Sequence, residues 1–96
     1  MQIVIRHEDY SSSRYALDIE EDTLSFSAAH ESFAIPYREL RDFCITHDAR
    51  GKAYFTMLGA GKLYEGQILQ PQESKSFVAA LNARLDGVIS IEVKKL

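Results

Sequence analysis

Between residues 2 and 69 the chain repeatedly falls into short stretches in which apolar side chains recur at every second position, and a chain patterned that way buries them by laying one face of a β-sheet on a core. Tyr15, Leu17 and Ile19 share one face while Asp18 and Glu20 share the other; after Glu21-Asp22 the alternation resumes with Leu24, Phe26 and Ala28 opposite Thr23, Ser25 and Ser27. Residues 14–28 are therefore expected to form a hairpin with a Ser/Thr-rich outer face. Further strands are expected over 2–7, 32–36, 42–47, 52–58, 62–69 and 88–94, all of ordinary strand length.

The punctuation agrees with that division. Asp48-Ala49-Arg50-Gly51 and Gly59-Ala60-Gly61 supply the positive-φ positions that short antiparallel connections need. Pro36 lacks a backbone donor and is expected to close a short edge strand, with 37–41 turning the chain in a single helical turn. Only 71–86 has helical period: Phe77, Leu81 and Leu85 fall at i, i+4 and i+8 with Val78 beside them, opposite Lys75, Asn82 and Arg84. Pro71 suits the first helical position, Glu73 the positive end of the dipole, and Gly87 the left-handed residue past the end. Such a stripe must lie on the sheet, the one large apolar partner the chain offers.

At 96 residues the chain is one domain, 1–96, burying about 65% of the surface its unfolded form exposes. A net charge of −3 provides no global field to recruit nucleic acid or an anionic membrane. The single cysteine, Cys44, has no intramolecular disulfide partner, the opening apolar run is too short for a signal peptide, and no stretch approaches membrane-spanning length, so a cytoplasmic location is expected.

Seven short strands followed by one amphipathic helix resemble a pleckstrin-homology-like barrel, two near-orthogonal antiparallel sheets with one end closed by the C-terminal helix. Asp22-Thr23-Leu24-Ser25-Phe26 and Phe33-Ala34-Ile35-Pro36-Tyr37-Arg38-Glu39-Leu40 are similar to the way small bacterial relatives and GRAM-type domains run strands into an Ile-Pro segment. The resemblance rests on element order and one degenerate segment, and it implies a fold rather than a chemistry. Two departures stand out. The closing helix lacks the Trp common in such families, leaving Phe77 and Leu81 as the plug, and a further alternating strand follows Gly87, with Ile89, Ile91 and Val93 opposite Ser90 and Glu92. That extra strand is expected to pair with an edge of its own sheet or with a neighbouring molecule.

The resemblance implies an anion site at the loop joining the first two strands, where several cations would converge on phosphate oxygens. The matching positions are Arg6, His7 and Arg14, interrupted by Glu8 and Asp9, which would repel a polyphosphate. Gly59-Ala60-Gly61-Lys62 reads as a hairpin turn, since a phosphate loop needs a longer glycine-rich run opening onto a helix. His7 with Asp9, and His47 with Asp48, fall short of the three or four convergent ligands of a metal site, so no metal or cofactor is expected. Cys44, flanked by Phe43 and Ile45, is expected to be buried as a small apolar residue, and the three-residue offset on a strand that puts His47 on the opposite face argues against a nucleophilic pair. Glu20, Glu21 and Asp22 read as a solvated turn. Of the tyrosines, Tyr64 and Tyr54 are expected to divide between interior and surface.

The function expected is a non-enzymatic interaction module that binds a protein partner, or a second copy of itself, through sheet edges, with Ile89, Ile91 and Val93 as the partner strand. Binding of an anionic lipid headgroup through Arg6, His7 and Arg14 is the second reading. A small hydrolase or isomerase using His47 with Asp48 or Cys44 is the third.

Overall fold

The computed structural model describes residues 1–85, 89 and 91–95. Eight strands, β1 (Gln2–Arg6), β2 (Ser12–Ile19), β3 (Thr23–Ser27), β4 (Ser32–Pro36), β5 (Leu40–His47), β6 (Ala53–Gly59), β7 (Lys62–Ile68) and β8 (Glu92–Lys95), form one sheet, and α1 (Ser74–Leu85) is its only α-helix among the described residues. The order across the sheet is β4-β3-β2-β1-β7-β6-β5-β8. The pairs among β1–β7 are antiparallel, as the hairpin signals require. In the β6–β7 turn Ala60 (φ 52°) and Gly61 (φ 76°) both take positive φ, the backbone whose twist matches two right-twisted strands.

The sheet curls strongly. Laid flat at about 4.8 Å per strand, β4 and β7 would stand about 19 Å apart, yet the rings of Phe33 on β4 and Tyr64 on β7 stack with centroids 5.5 Å apart. Gly66 of β7 lets β1 approach closely within the curl. It sits in register with buried Ile5 and Phe55 on the core face, and a Cβ there would lie 1.8 Å from the Val4 carbonyl oxygen. Across the curl, Ile35 of β4 packs 3.1 Å from the Cβ position of Gly59 on β6. One contiguous core results, drawn from β1–β7, α1 and Ile91, with Val93 of β8 packed against it. β4 and β5 are joined by a 3₁₀ turn at Tyr37–Glu39 but share no ladder, so the sheet is not closed into a barrel.

The helix begins later than the sequence pattern indicates. Pro71–Glu73 forms a 3₁₀ turn and α1 starts at Ser74. Its expected stripe is the buried one: Phe77, Leu81 and Leu85 all face the core, with Phe77 5.9 Å from the Phe43 ring. Burying them contributes on the order of 1.5–3 kcal/mol each, an upper range for area-based reckoning. Gly87 and its cap lie outside the described residues.

The strand after the helix is shorter than expected, and it pairs within the chain. β8 runs parallel to β5 in the register Cys44↔Glu92 to His47↔Lys95, the one parallel pair in the sheet. Val88 and Ser90, placed in that strand by their alternation, lie outside the described residues. The burial expected for Cys44 is also corrected. Phe43 and Ile45 take the core face of β5, so Cys44 between them falls on the outer face and is half-buried there.

Candidate functional site

A cleft of about 710 Å³ opens at the end of the sheet where the β1–β2 loop, the β3–β4 loop and the start of β7 come together. Its floor is aromatic. Phe33, Phe26 and Tyr64 form a triangle of near-parallel rings, with Phe33 4.5 Å from Phe26 and 5.5 Å from Tyr64 and those two 6.4 Å apart, and Tyr15 meets Phe33 edge-on at 5.5 Å. The Tyr15 hydroxyl donates to Glu31 Oε1 at 2.5 Å, and burial, helped by that carboxylate, pushes its phenol up to about 12. Tyr15 is thus a neutral donor fixed in the wall, which also holds Glu31 at the rim. Lys62 covers the other side, its ammonium 5.2 Å from the centroid of the Tyr64 ring.

The β1–β2 loop is shaped by its own polar groups. Asp9 Oδ1 accepts from the Ser11 amide at 3.0 Å and the Ser11 hydroxyl at 2.5 Å, and these bonds hold the Asp9 carboxyl below the usual carboxylate value. His7 shares a 2.8 Å hydrogen bond between its Nε2 and Ser13 Oγ. Tyr10, at φ 67°, is 91% exposed, and Leu63 on the cleft wall is 65% exposed.

The residues expected to bind an anion are only partly brought together. Arg6 and His7 line the cleft, with Arg6 reaching Glu65 at 3.9 Å. Arg14, opposite Val4 in the ladder, instead borders a separate depression with Gln2, Ser27 and Ala28. Lys62 supplies the wall's other permanent cation. Sequence reasoning missed it because its place beside β1 depends on the β1–β7 pairing, which joins residues some sixty positions apart. Against Arg6 and Lys62 stand three carboxylates, Glu8, Asp9 and Glu31.

The expected partner strand is largely occupied at home. Ile91 is 4% exposed, and the Asn82 side-chain amide bonds its backbone on both sides, N–H to Oδ1 at 2.8 Å and Nδ2 to the carbonyl at 3.3 Å. Ile89 and Val93 are partly buried against the core. Of the residues of the third reading, His47 and Asp48 line one cavity beside the start of α1. Asp48 Oδ1 accepts the amides of Arg50 and Lys52, both at 2.9 Å, and so shapes the β5–β6 turn, while Cys44 faces outward. Among the described residues no three His, Cys, Asp or Glu side chains gather as metal ligands, and no helix is long and apolar enough to cross a membrane. No family model matches the chain, and no curated protein matches it.

Proposed function

We propose that the chain is a non-enzymatic interaction module of pleckstrin-homology-like build, and that a polypeptide segment of a protein partner docks in the cleft above Phe33 and Tyr64. The PH-like reading draws its support from seven antiparallel strands followed by a core-facing helix, and from a curl that carries β4 across to β7. The docking reading is carried by one observation: an aromatic floor with a rim of both signs, in which three carboxylates outnumber two permanent cations. Aromatic ground with Tyr at its margin suits the apolar side chain of a peptide. The rim disfavours a polyphosphate, because Glu8 and Asp9 stand beside Arg6 and His7. A segment with an apolar or aromatic residue flanked by basic ones matches both features.

Panning a random peptide library against the protein tests this. Enriched peptides are expected to be aromatic and basic, to perturb the amides of Phe33, Lys62 and Tyr64 in heteronuclear spectra, and to bind Leu63→Glu at least about tenfold more weakly, about 1.4 kcal/mol. Failure to enrich, or perturbation confined to other surfaces, overturns the reading. Sedimentation with anionic vesicles that Arg6→Ala abolishes would favour the headgroup alternative instead.

A further inference from the structure

β4 ends the sheet, and the hydrogen bonds around it show which of its backbone groups are already paired. Before β4 the Glu31 carbonyl accepts the Ala28 amide at 2.8 Å, and after it the Tyr37 amide donates to the Asp22 carbonyl at 3.2 Å. Bonded positions alternate along an antiparallel pair, so counting inward from either end makes Phe33 and Ile35 the residues that bond β3, opposite Phe26 and Leu24. Ser32, Ala34 and Pro36 therefore turn their backbone groups to the open edge. Pro36 has no amide hydrogen, which leaves two donors there, the amides of Ser32 and Ala34, together with their carbonyls. No backbone hydrogen bond from another described segment reaches these groups, and Ser32 and Ala34 are small and exposed.

We propose that the partner's segment binds as a further strand on this edge, its backbone bonded to Ser32 and Ala34 and alternate side chains entering the cleft. The inference rests on the cleft reading above and specifies how the segment lies. Edge and cleft are continuous, because Glu31 and Phe33, on either side of Ser32, both line the cleft. A strand bonded at Ser32 and Ala34 sets one residue opposite Phe33 and on the same face of the sheet, with Cβ atoms about 4.5–5.5 Å apart. An aromatic side chain at that position joins the floor of Phe33 and Tyr64. The residue two positions along comes opposite Glu31, whose carboxylate at the rim suits a basic side chain. The residue between them points to the other face beside the small Ser32 side chain, which selects little. The motif expected is thus an aromatic and a basic residue two positions apart. The Ser32–Pro36 strand of a second copy carries no cation to meet Glu31, so a separate partner is the better occupant.

The test uses the intact chain and a peptide recovered by the panning, read by amide hydrogen exchange and by N-methylation of the peptide one residue at a time. In the free protein the amides of Ser32 and Ala34 are expected to exchange freely while those of Phe33 and Ile35 are protected, and bound peptide is expected to slow Ala34 at least about tenfold. N-methyl groups are expected to weaken binding at least about tenfold at alternate positions and much less between them, the period of a strand. Ala34→Pro removes an edge donor and spares the β3 ladder, so it should weaken the same peptide several-fold; the N-methyl series, on the unaltered protein, decides if that variant does not fold. Peptides that perturb Phe33, Lys62 and Tyr64 yet leave Ala34 exchange unchanged, or tolerate N-methyl groups without a period of two, overturn the strand mode and leave the cleft reading standing. If no peptide enriches, the cleft reading falls and the strand mode with it. Protection of Ala34 in the free protein that grows with protein concentration would put a second copy on the edge and overturn the assignment.

Discussion

Gly66 shows how one missing side chain shapes the molecule. Because its Cβ position overlaps the Val4 carbonyl, any larger residue must push β1 and β7 apart and relax the curl that joins the two halves of the core. Gly66→Ala is expected to destabilise by about 1–3 kcal/mol, the usual cost of overpacking, read as a fall in the thermal or urea midpoint. Tyr15 makes a different residue-level prediction. Its phenol stays protonated in the folded state up to about 12, above the ordinary tyrosine value of 10.0, because of burial and Glu31. A raised acid favours folding while it is neutral in both states, so this contribution is intact below pH 10 and is lost between pH 10 and about 12, where the unfolded phenol ionises first. Tyr15→Phe should cost about 1 kcal/mol at neutral pH through the lost hydrogen bond. Its urea stability should then fall less steeply than the parent's through that alkaline window. An equally steep fall would show that Tyr15 does not carry the alkaline dependence.

At the scale of elements, α1 and β8 depend on one another. Asn82, on the side of α1 away from Phe77, acts as a surrogate ladder for Ile91, satisfying an amide and a carbonyl just before β8 begins. Asn82→Ala should therefore speed hydrogen exchange at the amides of 92–95 by about tenfold or more, corresponding to about 1–2 kcal/mol, while protection in β1 and β6 stays close to the parent's. Equal loss in all three strands would mean that β8 does not open independently. Period alone made α1 legible, because an amphipathic stripe is a local property. The parallel pairing of β8 was not legible, since alternation says that a strand has one buried face and nothing about which neighbour it joins.

For the molecule as a whole, the exposed strands at the sheet ends decide whether the chain stays apart from its copies. β8 is a terminal strand, and Lys94 lies on its outer face in register with Thr46, where a charged side chain opposes strand addition. Lys94→Val is expected to raise the weight-average mass in light scattering as concentration increases, with the parent changing less; identical masses would show that this charge does not protect the edge. The sequence by itself determined the strands, their inward faces, the turns at Gly51 and Gly61 and the buried stripe of α1, because each follows from spacing within a few residues. It also marked Arg6 and His7 as neighbours in one loop. Tertiary structure alone decided that Lys62 joins them, that Arg14 does not, and that His47, Ser74, Lys75 and Lys95 line one cavity. Those outcomes depend on strand order, register and curl, which are fixed by contacts between distant segments competing for the same core.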